Sequence, residues 1–96
     1  MRPQFDWDIG NIFKSEKKHN ISVAEAESIF RDSDKLVFDD IRHTTISEKR
    51  YICIAKSKEE RILFCYFTLR GSKVRIIGCR PTNKKEKLLY EKGLEK

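Results

Sequence analysis

Residues 61–93 read RILFCYFTLRGSKVRIIGCRPTNKKEKLLYEKG. Two runs rich in β-branched and aromatic residues flank Arg70-Gly71-Ser72, the pattern of two strands joined by a tight hairpin. Pro81 stops the second run, Thr82 offers a helix cap, and Asn83 to Lys92 has helical spacing with Gly93 behind it. Two hairpin-linked strands feeding a helix predict an antiparallel sheet with helical cover.

Upstream of this stretch, Ser57 to Glu60 reads as a polar turn. Arg50 to Lys56 (RYICIAK) is apolar on both faces, as an internal strand requires. Residues 41–48 lack a period and are expected to loop out. Leu36-Val37-Phe38 is a short strand stopped by Asp39-Asp40.

Nearer the start, Ser22-Val23-Ala24-Glu25 matches a capping box, with Ala26, Ile29 and Phe30 as the buried stripe of the helix that follows. Before it, Asp8 is placed to cap a helix whose Ile9, Ile12 and Phe13 share a face and which ends at His19-Asn20. Phe5-Asp6-Trp7 leads in as a strand. The expected order is β-α-α-β-β-β-β-α. This is an α+β domain over residues 1–96, with a small antiparallel sheet, two N-terminal helices and one C-terminal helix, packed mainly on one face.

Ninety-six residues, 39% apolar and 38% charged, suffice for one core under a heavily solvated surface. The formal charge is +6, and its positive surplus sits in residues 49–96. That favours a polyanionic or acidic partner. Cys53, Cys65 and Cys79 are odd in number, lie in apolar runs and show no CxxC spacing, so small reduced core thiols and a cytoplasmic location are expected. The apolar run Ile62 to Leu69 is too short to span a bilayer, so no membrane association is expected.

Arg50, Arg70, Arg75 and Arg80 lie on or beside neighbouring strands. A guanidinium grips phosphate with two donors, so a sheet gathering several of them suits a nucleic-acid backbone. The bland alternative is a set of solvated rim charges paired with Glu48, Glu59 and Glu60. Strand alternation puts Arg75 and Arg80 on opposite faces, unless twist or the strand end at Pro81 turns Arg80 round the edge. Tyr90 is either a base-stacking or proton-donating phenol, or a core-edge ring with a wet hydroxyl. Lys84, Lys85 and Lys87 are a solvated helix face or an RNA track beside Arg80.

His19 and His43 do not form a metal-ligand cluster with the cysteines, and no metal or other cofactor is expected. His43, in a polar loop, reads as a surface residue. His19 at a helix end reads as a dipole-favoured cation, with a general-base role less favoured. Serines and threonines lie in turns without a nucleophile motif.

Phe5-Asp6-Trp7-Asp8 and Lys18-His19-Asn20-Ile21-Ser22 resemble the F-x-W-D and K-H-G-V-S-F opening of BrnT toxins. Residues 24–32 (AEAESIFRD) resemble their second helix. Glu48 to Ile52 matches E-x-R-Y-I, Val74 to Arg80 matches R-I-I-S-A-R, and Glu86 with Tyr90 matches E-x-x-x-Y. Asn20, Gly78-Cys79 and Pro81 depart from the pattern.

The resemblance, over residues 5–91, implies a RelE-like toxin fold and a toxin of a type II toxin–antitoxin system. It implies a metal-independent endoribonuclease that cleaves RNA and inhibits translation. Arg50, Arg75, Arg80 and Tyr90 would be catalytic, with Arg70, Lys84, Lys85 and Lys87 binding RNA. The implied partner is a BrnA-like ribbon-helix-helix antitoxin in a heterotetramer. Because fold does not settle activity, a non-catalytic nucleic-acid binder or gyrase poison of the same fold group stands as the alternative.

Overall fold

Apolar side chains at successive positions along the central strands give the sheet two apolar faces, and each needs a cover. A computed structural model of the chain describes residues 4–7 and 18–95. The strands are β1 (Gln4–Phe5), β2 (Leu36–Asp39), β3 (Arg50–Lys56), β4 (Ile62–Arg70) and β5 (Lys73–Pro81); the helices are α1 (Val23–Ser28), extended by a 3₁₀ turn at Ile29–Arg31, and α2 (Lys84–Leu94). The expected helix over residues 9–20 falls largely outside the described residues.

The five strands lie in the order β1-β5-β4-β3-β2. Strands β2 to β5 form the expected antiparallel ladder, but β1 pairs in parallel with β5. The sheet is therefore mixed, which corrects the expectation of a wholly antiparallel one. The lead-in segment reaches β5 along its outer edge through Gln4, Phe5 and an Asp6 N–H to Val74 O bond of 2.9 Å. At the hairpin, Gly71 takes φ 59°, the left-handed value a side chain resists.

Tyr51, Cys53, Leu63, Cys65, Phe67, Ile76 and Cys79 point to one face, where Ile29 and Phe30 cover them. Phe30 packs edge-on against Phe67 at 5.1 Å and against Phe5 at 5.5 Å. All three cysteines are buried as expected, but they are not three separate thiols. Cys65 and Cys79 are opposed in register across β4 and β5 and joined as a disulfide, leaving Cys53 free. Burial pushes the Cys53 thiol up to about 12.

The other face has Leu36, Ile54, Phe64 and Arg80 in one cross-strand row, and α2 lies on it. Glu86 binds Arg80, and Gly93 comes so close that an added Cβ would stand 3.3 Å from Leu36 Cδ2. Gly93 thus continues the helix instead of ending it. The two described helices lie on opposite faces, because β3 and β4 are apolar on both sides.

Two caps differ in detail from the expectation. Ser22 Oγ accepts from Glu25 N at 3.0 Å, but the Glu25 carboxylate turns inward to Arg61 and Ser57. A buried charge-assisted pair outbids an exposed amide. Asn83, not Thr82, caps α2 through a reciprocal box with Glu86, while Thr82 donates its N–H and hydroxyl to Ile62 O.

These carboxylates set an acid limit. The Arg61 hydrogen bond holds Glu25 below its ordinary 4.5, and the Arg80 hydrogen bond does the same for Glu86, in both cases against the opposing effect of burial. A folded-state value below the unfolded one stabilises above the unfolded pKa and is lost as pH falls through the folded value. The melting temperature is therefore expected to be flat at neutral pH and to drop progressively below pH 4.5. Glu25→Gln should flatten that acid decline in a pH series of melting curves.

Candidate active site on the Arg80 face of the sheet

Along β5 the side chains do not keep simple alternation. Tyr66 pairs with Gly78 but Phe67 pairs with Ile76, so Ile77 is an unpaired extra residue, a β-bulge. The bulge shifts the phase by one. Ile76 and Cys79 both face the Phe30 core, while Arg75, Gly78 and Arg80 share the opposite face. The expectation that Arg75 and Arg80 point to opposite faces is corrected here: neither twist nor the strand end is needed to unite them.

Three rows cross this face. Leu36–Ile54–Phe64–Arg80 lies under α2. Phe38–Ile52–Tyr66–Gly78 lies beside it, and Arg50–Thr68–Arg75 forms the outer row. Neighbouring strands stand about 4.8 Å apart, so the last two rows make a platform of nucleotide size. Its floor is apolar and aromatic, and its rim is cationic.

Each arginine is held by an acidic partner. Arg80 grips Glu86 with both terminal nitrogens at 2.8 Å, and its guanidinium carbon lies 4.2 Å from the Phe64 ring centre. The Glu86 bonds first, with the nearby Tyr66 phenol adding, raise its pKa further despite burial. Arg75 lies 3.4 Å from Asp6 on the lead-in segment. Arg50 Nε donates to Glu48 at 2.9 Å, and Arg70 approaches the same carboxylate at 3.6 Å. Side-chain exposures of 22% for Arg75, 30% for Arg80 and 33% for Arg50 mean that these groups are oriented yet reachable. Lys84, Lys85 and Lys87 are exposed on α2 immediately after Arg80.

Tyr90 is not brought to this platform. It is 2% exposed, and its hydroxyl donates inward to Asp32 Oδ2 at 2.5 Å, where Lys56 N also binds that carboxylate. Burial first, then the Asp32 bond and charge, pushes the phenol's pKa well above the ordinary tyrosine range. The geometry makes Tyr90 a structural anchor of α2, and this corrects its expected place in the site.

Two groups that sequence reasoning set aside do lie here. The His43 ring packs edge-on against Tyr66 at 6.1 Å, and His43 Nδ1 lies 2.9 Å from Asp40 Oδ2. The three-residue spacing of Asp40 and His43 was the available sequence signal. It carries little weight without knowledge that the loop folds back over β4. Among the described residues, no group of three or more His, Cys, Asp or Glu is arranged to hold a metal ion. None of the described helices is long and apolar enough to cross a membrane.

Residues 7–86 match the family model described as the ribonuclease toxin BrnT of type II toxin–antitoxin systems. The chain belongs to the BrnT family. The ribonuclease toxin BrnT of Brucella abortus, known from a 1.1 Å crystal structure, superposes with a TM-score of 0.62 at 20% identity, covering 85% of this chain and 99% of that one. At that identity the likeness speaks for the fold. No curated protein matches the sequence. The BrnT match spans the whole platform, from the Trp7 segment beside Asp6 and Arg75 to Glu86 behind Arg80. Ribonuclease activity in general, and an antitoxin partner, follow from membership of this family.

Proposed function

We propose that this BrnT protein is a metal-independent endoribonuclease that cuts single-stranded RNA laid over the sheet face that carries Arg75 and Arg80 and so inhibits translation. The observation that supports the reading is the bulge that turns Arg75 and Arg80 to one face of β5, with the Tyr66 phenol near Arg80. RNA supplies its own nucleophile, the 2′-hydroxyl, so the protein's main task is to hold the phosphate and stabilise the charge that grows on it. Arg75 and Arg80 flank Gly78 and can bind the two non-bridging oxygens. Arg50 and Arg70 would take the next phosphate, and Lys84, Lys85 and Lys87 would track the strand beyond Arg80. Phe38, at 43% exposure, and Tyr66 offer rings for unstacked bases.

In the cytoplasm such an activity must be restrained. The partner in this reading is a BrnA-like ribbon-helix-helix antitoxin whose dimeric core would give a two-plus-two heterotetramer. An acidic segment over the platform would compete with RNA for the same guanidinium groups.

Purified protein is expected to cleave a single-stranded RNA oligonucleotide in EDTA and to leave its all-deoxy counterpart intact. Binding without cleavage would favour the non-catalytic alternative. Co-expression with the neighbouring gene product should yield a complex whose light-scattering mass corresponds to two of each chain. Elution of this chain alone, with growth unaffected by its overproduction, would count against both the partner and the toxin reading.

A further inference from the structure

We infer that His43 is the general base of the cleavage reaction and that Asp40 is the residue that positions it. This rests on the endoribonuclease reading and supplies the proton acceptor which that reading leaves open.

Asp40 and His43 differ sharply in environment. The Asp40 side chain is 5% exposed, whereas the His43 side chain is 51% exposed. A carboxylate is thus sunk beneath an accessible imidazole and meets it only at Nδ1, 2.9 Å away. A neutral imidazole carries one N–H, and the Asp40 acceptor draws it to Nδ1. The lone pair then sits on Nε2, on the side away from Asp40.

The loop carrying His43 is tied down. Asp40 N donates to Arg50 O at 2.9 Å, and Thr44 Oγ1 donates to Asp40 O at 2.8 Å. Arg50 N in turn donates to Thr44 Oγ1 at 3.0 Å. These bonds fix the His43 ring at its edge-on contact with Tyr66. Tyr66 thus meets the His43 imidazole at its ring and has the Arg80 guanidinium near its phenol, which links the two groups through one residue. A phosphate held at Arg80 and Arg75 would place its ribose over Tyr66, within reach of the imidazole.

The carboxylates nearest the platform are otherwise engaged, Glu48 with Arg50 and Arg70, and Glu86 with Arg80 and the α2 cap. In the step itself, Nε2 of His43 takes the 2′-hydroxyl proton, O2′ forms a bond to phosphorus, and the P–O5′ bond breaks. The departing O5′ takes a proton from water. The products are a 2′,3′-cyclic phosphate and a 5′-hydroxyl, with no oxidation or reduction.

The test uses the full chain and a single-stranded RNA oligonucleotide. His43→Ala is expected to lower single-turnover cleavage by about 10²–10⁴-fold. Its affinity for the same oligonucleotide carrying a 2′-deoxy sugar at the cut site should change less than about twofold, since only proton transfer is lost. Added imidazole should restore part of the His43→Gly rate and none of the Arg75→Ala rate. Asp40→Asn, which keeps a hydrogen-bond acceptor, should lower kcat with KM and melting temperature unchanged, and should abolish neither binding nor folding. Wild-type cleavage with His43→Ala undiminished would overturn the assignment and leave the ribonuclease reading standing. A wild-type protein that binds RNA and never cuts it would instead remove both.

Discussion

Arg75→Ala should cut the rate of RNA cleavage by about 10²–10³-fold, the cost of losing one donor to a developing oxyanion. The contact of Arg75 with Asp6 at 3.4 Å is a partly exposed ion pair, and loss of such a pair by itself costs about 0–1 kcal/mol. Arg80→Ala should lose as much rate, but with a fold penalty. It strips both hydrogen bonds from Glu86, which is 14% exposed and also closes the α2 capping box. A substituted ammonium tests the geometry: Arg80→Lys keeps the charge but not the fork, so it should recover stability ahead of rate. Single-turnover kinetics beside melting curves separate the two effects. If both alanine variants melt near wild type and still arrest growth as strongly, the phosphate role falls.

Those two arginines also mark where reading the sequence stopped. Gly71 with its flanking β-branched runs declared the hairpin, and RYICIAK declared the central strand, because each signal is local. The Ile77 bulge is not local. Whether an extra residue is absorbed depends on how Phe67 and Ile76 fit Phe30, a contact made 37 residues away in sequence. Simple alternation therefore separated Arg75 from Arg80 although their side chains share a face. The parallel pairing of Gln4 and Phe5 with β5 was hidden for the same reason, since two residues carry no directional pattern.

His43 and Tyr90 show how environment reassigns a side chain. His43 sits in a loop that reads as polar and unstructured, yet a chain of bonds through Thr44 and Asp40 returns it to the sheet. Tyr90 carries a family motif position and lies on a lysine-rich helix. Eight of the eleven residues of α2 are exposed, and the helix is anchored through the narrow stripe Glu86, Tyr90 and Gly93, spaced four and three residues apart. A residue that holds a helix down is needed for any activity the fold supports. Motif membership alone therefore does not separate an anchor from an acid.

Substitution at Tyr90 separates them. Tyr90→Ala empties a site of 2% exposure, and removing a buried aromatic ring costs about 3–5 kcal/mol. In a small domain whose whole stability is about 5–15 kcal/mol, that loss should loosen α2 and lower the melting temperature by well over 10 °C (about 4–8 °C per kcal/mol), with cleavage lost in step with the unfolded fraction. Tyr90→Phe keeps the ring and removes only the hydroxyl bound to Asp32 Oδ2. Asp32 retains Lys56 N on the same oxygen and Asp34 N on the other, both at 2.9 Å. Burial opposes ionisation of Asp32, but the Tyr90, Lys56 and Asp34 bonds outweigh it and hold its pKa low. Losing one of three donors should cost about 1.5–3 kcal/mol, with the cleavage rate per folded molecule unchanged. A Tyr90→Phe protein that melts close to wild type but cleaves a hundredfold more slowly would return the phenol to the chemistry. Rate loss that tracks the unfolded fraction across both variants would fix its role as the anchor of α2.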